Sequence, residues 1–299
     1  MSKPVRWTLR IGAGVLLLLI VAAGVVYALS ERVMDRTYDD AVAFDTDFTV
    51  PGDPASIAEG ERLARIHGCY NGCHGEQAEG GLFFDDFAFG SMKAPDLTRA
   101  VHALSDAELE RVIRHGVRKD GGTVYVMPSP SFYYMSDEDL GDILAFLRSL
   151  PRTDGPEVTF RPGPLARVLI GFEQFEPAAA TIDHDAPRST VGEDADPMTR
   201  GRHLATTACT ECHGMDLEGS EGPPETTPSL RIVGSYSPDE FRTLLRTGTP
   251  RDGRDLRLMD DMSRKRFSNF TDDEIDALHI YLSLGLAQQP PPSAAVSAD

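Results

Sequence analysis

The chain has 299 residues, 41% of them hydrophobic and 25% charged, which is globular composition with enough length for about two domains of about 100 residues each. Its 47 acidic residues against 29 basic ones leave a net charge of −18, and that balance argues against a surface for nucleic acid or for anionic lipid. A partner recruited by charge would have to present a basic patch, although acidity also keeps an exported protein soluble.

The N-terminus differs from the rest. Lys3, Arg6 and Arg10 precede Ile11 to Leu29, nineteen residues without a charge that include four successive leucines, Leu16 to Leu19. At about 1.5 Å per residue this run nearly crosses the roughly 30 Å hydrocarbon core of a bilayer. Glu31, Asp35, Asp39 and Asp40 dilute the positive charge after it, so the positive-inside rule keeps the N-terminus cytoplasmic and exports the chain beyond the apolar run. Val26-Tyr27-Ala28 offers the small residues of a cleaved signal peptide, but the apolar run is long for one. The expectation is a single-pass inner-membrane anchor over residues 1–30, a tether over 31–52, and a periplasmic remainder.

Two copies of one pattern occupy that remainder. Asp53-Pro54 and Asp196-Pro197 each place an N-cap before a first-turn proline, opening a helix that leads into a cysteine motif. The motifs are Cys69-Tyr-Asn-Gly-Cys73-His74 and Cys209-Thr-Glu-Cys212-His213, which take up all four cysteines. Pro95-Asp-Leu is answered by Pro228-Ser-Leu, and Ser105 with Arg114-His-Gly116 by Ser237 with Arg246-Thr-Gly248. Asp120-Gly121 is answered by Asp252-Gly253, and the last helix opens at Ser136 or Thr271. Ser105, Ser237, Ser136 and Thr271 have Glu108, Glu240, Asp139 and Glu274 three residues on, as capping boxes do. The expected domains are 53–151 and 196–286, each a small helical unit with long loops. Between them residues 152–195 form a Pro/Gly/acidic linker with one short helix at Leu165 to Phe172, and 287–299 read as a disordered tail.

Cys-x-x-Cys-His is the covalent haem signature: two thiols add to the vinyl groups and the adjacent imidazole reaches the iron. The second motif has the standard spacing, and the first carries one extra residue, which must bulge between the two thioethers. Zinc knuckles or a redox dithiol use the same residue types, but a knuckle pair does not sit 140 residues apart and a dithiol needs a βαβ setting. Two covalently bound c-type haems are expected, the first attached less efficiently. Long loops within so small a unit make sense when a haem fills the middle.

With these motifs, with Ala94-Pro95-Asp96-Leu97-Thr98, the Arg-x-Gly turns, Met127-Pro128 and the acidic-capped final helix, the chain resembles the class I cytochromes c over about Asp53 to Leu150 and Asp196 to Leu286. Within that family it is similar to the cytochrome subunits of membrane-bound dehydrogenases. It departs from them in the lengthened first motif, in a second unit without Met-Pro, and in having two haem motifs where those subunits usually have three. The resemblance implies an all-α fold of two tandem class I domains behind the membrane helix. It also implies a methionine opposite each histidine, and a proline carbonyl, of Pro95 or Pro228, on each histidine's other nitrogen. Met127 is the ligand expected opposite His74, with Met92 and Met135 as rivals. For His213 the repeat gives two answers: Met259 counted from Asp252-Gly253, Met262 counted back from Thr271. The first is favoured, because the turn that launches a ligand loop positions it. The other histidines, His67, His102, His115, His184, His203 and His279, read as surface or capping residues.

Two His/Met haems on an exported scaffold imply an electron carrier without catalysis of its own, working between a dehydrogenase or quinol-oxidising complex and a terminal acceptor. A diheme peroxidase or small-molecule oxidoreductase with one exchangeable distal position is the alternative.

Overall fold

The computed structural model describes residues 3–39, 42–188, 191–192, 195–221 and 225–286. The expected tail at 287–299 lies outside the described residues, as do Glu193 and Asp194 of the linker. Helix α1, Lys3–Met34, holds the apolar run and continues past it. Its stretch Pro4–Met34 is long and apolar enough to cross a membrane, with a mean hydropathy of 2.5 and none of that window buried by the rest of the protein.

The first unit comprises α2 (Pro54–Ile66), strands β1 (Gly81–Asp86) and β2 (Gly90–Ala94), α3 (Leu97–Ala103), α4 (Asp106–Arg114), α5 (Ser129–Phe132) and α6 (Asp137–Ser149). The connecting segment supplies β3 (Thr159–Pro162), α7 (Pro164–Gly171) and α8 (Ala178–Thr181). The second unit comprises α9 (Pro197–Ala208), α10 (Thr210–His213), a 3₁₀ turn Leu230–Ser235, α11 (Pro238–Thr247), α12 (Leu258–Lys265), a 3₁₀ turn Phe267–Asn269 and α13 (Asp272–Ile280) with a π turn Tyr281–Gly285.

Side-chain caps fix where these helices begin. Asp53 and Asp196 each accept two backbone N–H groups of the first turn, and the boxes Ser105/Glu108, Ser237/Glu240 and Thr271/Glu274 close in both directions. Ser136 accepts from the Asp139 amide, but no returning bond closes the box, because the Asp139 carboxylate faces His203 at 3.0 Å.

In each unit the helix before the cysteine motif crosses the last helix at a glycine. A Cβ on Gly60 would stand 1.9 Å from the Asp142 carbonyl oxygen, and one on Gly201 would stand 2.0 Å from that of Ala277, so only glycine permits these backbones to touch. Leu63, Ile66, Leu140, Ile143, Leu144 and Leu147 fill the first crossing, Leu204, Ala205, Ile275, Leu278 and Leu282 the second, and all belong to one continuous core.

The units pack face to face with reciprocal contacts. Arg62 of α2 pairs with Glu274 of α13 at 2.7 Å, and its counterpart His203 of α9 meets Asp139 of α6 at 3.0 Å. The Ser131 hydroxyl meets that of Thr210 at 2.7 Å, while Arg266, the counterpart of Ser131, donates to the Ile66 carbonyl at 2.7 Å. This is the arrangement of an internal pseudo-twofold pair.

The fold is mostly helical but not purely so. β1, β2 and β3 form an antiparallel sheet in that order, with Met92 opposite Phe160 and Phe84 opposite Met92. The hairpin occupies the first unit's longer loop: 21 residues separate His74 from Pro95, against 15 between His213 and Pro228. The connecting segment is thereby tied to the first unit. Through α7 it also reaches α1, where Arg167 donates to Ser30 Oγ at 2.8 Å and to Glu31 at 2.7 Å.

Candidate functional site

The two cysteine motifs leave their helices differently. α9 ends with Cys209 as its C-cap, and the motif continues as one helical turn in which the Cys212 and His213 amides both donate to the Cys209 carbonyl, at 3.2 and 3.0 Å. α2 stops two residues before Cys69, at His67, because Gly68 takes a left-handed φ of +73°. The Cys73 amide then reaches back to the Gly68 carbonyl at 2.9 Å, Asn71 sits at φ +55°, and a Cβ on Gly72 would come within 2.6 Å of Gly68. The extra residue is thus absorbed in a non-helical loop that needs Gly68 and Gly72.

Beyond the motifs the backbones coincide. The Gly80 amide donates to the His74 carbonyl at 2.7 Å and the Gly219 amide to that of His213 at 2.8 Å. Leu97 N–H reaches Ala78 O and Leu230 N–H reaches Leu217 O, both at 2.9 Å. Ala78 and Leu217 share a left-handed φ of 61° and 60°. That conformation is unfavourable for both residue types, so the surrounding loop imposes it twice.

Each loop aims a carbonyl at its histidine. His74 Nδ1 lies 3.1 Å from the Pro95 oxygen and His213 Nδ1 lies 2.8 Å from the Pro228 oxygen. A carbonyl only accepts, so Nδ1 carries the proton and Nε2 keeps the lone pair. Burial lowers the pKa of both rings against the opposing pull of those carbonyls, which favours the neutral, ligating form. Asp96, to which the sequence assigned no role, anchors the first loop: it accepts from the Thr98 and Thr153 hydroxyls at 2.6 and 2.8 Å and from the Gly155 amide at 3.0 Å. Burial opposes its charge, yet these donors hold its carboxyl below the usual range. In the second loop the Thr227 hydroxyl ties the Pro228 segment to the Cys212 carbonyl at 2.6 Å.

All four cysteines are free. Burial pushes the Cys69 and Cys209 thiols up to about 12 and Cys212 to about 11, and raises Cys73 as well. None has the depressed pKa of a redox dithiol. Among the described residues no group of three or more His, Cys, Asp or Glu is placed to hold a metal ion by itself. The donor set, two pairs of unbridged thiols each beside an imidazole with a free Nε2, fits a c-type haem.

Met127 lies in the loop before α5, partly buried against the core. Met259 and Met262 both lie on α12, one turn apart and so on one face, and both pack on the core. Arg266 Nη1 approaches Met262 Sδ at 3.9 Å. Met135 is buried in the core beside the cap of α6, and Met92 lies in β2.

The arginines of the Arg-x-Gly turns latch these methionine loops shut. Arg114 donates to the Met135 carbonyl at 2.9 Å and pairs with Asp137 at 2.7 Å; Arg246 donates to Ser268 at 2.5 Å and pairs with Asp272 at 2.7 Å. Each ties the end of one helix to the first turn of the last. The sequence marked these positions as turns, and their ion pairs became visible only in three dimensions. The expectation of surface or capping histidines needs correction. His67, His115 and His203 are buried, His67 and His203 at the face between the units and His115 with its Nδ1 2.8 Å from His184 Nδ1. Single histidines carry no sequence signal for such burial.

Comparison with known proteins agrees with this geometry. A cytochrome c subunit of a quinone alcohol dehydrogenase from Gluconacetobacter polyoxogenes is 27% identical, with the match covering 81% of this chain and 58% of that protein. A gluconate 2-dehydrogenase cytochrome c subunit from Pantoea cypripedii is 28% identical over 77% of the chain and 60% of its own length. A fructose dehydrogenase cytochrome subunit from Gluconobacter japonicus is 25% identical over 76% and 52%. The chain therefore spans three fifths or less of these relatives. The cytochrome c family model matches residues 57–151 and 198–284, the two units just described. With that match over most of both units, and with both motif loops built alike, the chain belongs to the cytochrome c family, whose members bind c-type haem covalently.

Proposed function

We propose that the protein is a membrane-anchored periplasmic cytochrome with two covalent haems, passing single electrons between a dehydrogenase or quinol-oxidising complex and a terminal acceptor. The observation that supports this most directly is the duplicated loop in which a histidine donates Nδ1–H to a proline carbonyl and leaves Nε2 free. A c-type haem would supply one-electron chemistry at its iron. Cys69, Cys73, His74 and Met127 would hold the first; Cys209, Cys212 and His213 would hold the second, with Met259 as the proposed methionine and Met262 as its rival.

The protein's own groups account for the behaviour. The Pro95 and Pro228 carbonyls fix ring orientation and make each imidazole a stronger donor. The Arg114 and Arg246 latches keep the methionine loops in place. On this reading the protein would carry electrons without performing catalysis. Helix α1 serves as the anchor, and its clamp to α7 holds the first unit close to the bilayer. The relatives' names make an alcohol or sugar-acid dehydrogenase the class of donor assigned here.

The test is the oxidised spectrum. Two carriers of this kind give a fully low-spin spectrum, unchanged by cyanide or peroxide, and are reduced by a quinone-linked dehydrogenase. A high-spin fraction that binds cyanide would favour the peroxidase reading, with the second unit and its two-methionine helix as the reactive site.

A further inference from the structure

We propose that Arg266 is a shared electrostatic control of both haem sites, raising the reduction potential of each. The inference rests on the two-haem reading above. Arg266 is 3% exposed and lies where the two units meet. Its Nε donates to the Ile66 carbonyl at 2.7 Å, at the end of the helix that leads into Cys69. Its Nη1 donates to Glu211 Oε2 at 2.9 Å, between Cys209 and Cys212, and a Cβ on Gly68 would stand 3.6 Å from the guanidinium carbon. One guanidinium therefore touches the second attachment motif and the residues that lead directly into the first. Nη2 has no hydrogen-bond partner among the described residues.

Burying a cation with one nitrogen unpaired is costly unless something nearby gains from the charge. Glu211, whose side chain is 23% exposed, offsets part of it from one side only. The other titratable groups at this face include His67, His203 and Asp139, and the pair Arg62–Glu274 with Glu59 beside it, whose opposite charges face each other; burial and the neighbouring Arg266 charge hold His67 neutral. A one-electron reduction lowers the charge at the iron by one, and a fixed buried cation stabilises the reduced state. Position reinforces the point. Arg266 stands five residues before the cap Thr271, as Ser131 stands five before Ser136; Ser131 reaches Thr210 of the opposite motif, and Arg266 reaches Ile66 at the end of the helix that leads into the opposite motif. The pseudo-twofold pair therefore has a neutral hydroxyl on one side and a charge on the other. Because that charge is shielded from solvent, salt should screen it little.

The experiment is a spectroelectrochemical titration of the full chain, with haems first counted by intact mass. In Arg266→Gln both midpoints fall, so that at a fixed ambient potential the ferrous-to-ferric ratio drops about tenfold, which is 59 mV for a one-electron couple. Arg266→Lys keeps the charge and restores most of the shift. Glu211→Gln moves both midpoints the other way. A purely structural role for Arg266 predicts no such opposition of sign. Unchanged midpoints in Arg266→Gln with two haems attached would overturn the proposal, and if that variant does not mature, an unshifted Glu211→Gln does so instead. A wild type carrying one haem overturns the two-haem reading itself, so the two failures are distinguishable.

Discussion

Gly60 and Gly201 show how much a single absent methyl group controls. Either alanine substitution drives a Cβ into a carbonyl oxygen of the partner helix, and the helices must separate at the centre of the unit. Each is expected to lose at least about 1–3 kcal/mol of stability, read from the denaturant midpoint, while alanine at Gly253, where a Cβ would meet nothing within 4 Å, costs only its backbone strain. His67 gives a pH dependence. Burial, with the Arg266 charge next in size, holds its pKa well below 6.5, so the folded protein refuses a proton that the unfolded chain accepts. Its contribution is complete above pH 6.5 and is lost as the pH falls below that value, by about 1.4 kcal/mol per unit. A wild type that loses no more stability than His67→Phe between pH 8 and pH 5 would refute this. The cysteines and their histidines were legible because their chemistry fixes their spacing. His67 and Asp96 were not, because what they do depends on residues distant in sequence, Arg266 for one and Thr153 for the other.

At the level of elements, the caps were readable and the latches were not. N-caps and capping boxes depend on neighbours within four residues, so Asp53, Ser105, Asp196, Ser237 and Thr271 announced their helices correctly. The latches join α4 to α6 and α11 to α13. Arg114 is fully buried, whereas the Arg246 side chain is 30% exposed. Arg114→Ala should therefore cost about 3–5 kcal/mol and Arg246→Ala only about 1, a contrast that thermal unfolding of the two variants can measure. In the second unit the two ways of counting to the ligand, from Asp252-Gly253 and back from Thr271, end on the same helix, because α12 puts Met259 and Met262 on one face. Arg266 engages the Met262 sulfur, so Met259→Leu should abolish the methionine-to-ferric charge-transfer band of the second haem and Met262→Leu should leave it. The reverse result would assign Met262. The hairpin had no clear sequence signal because Gly81–Asp86 does not alternate in burial and its register shifts between Leu82 and Phe84.

Across the whole molecule, the repeat predicted two similar units, but it did not predict that they face each other. Reciprocal pairs such as Arg62 with Glu274 and His203 with Asp139 join positions more than sixty residues apart, and no periodicity encodes them. The net charge of −18 bears on partners. Electron transfer from a basic donor should slow as ionic strength rises, and a salt-independent rate in stopped flow would show that charge does not guide docking. The central claim is that two haems are bound covalently, one on each motif. The most direct measurement is the intact mass of the denatured protein after expression with c-type maturation machinery, for the wild type and for Cys69→Ala/Cys73→Ala. Two haems in the first and one in the second are predicted; a wild-type mass equal to that of the bare polypeptide, or one haem unchanged by the double substitution, would contradict it.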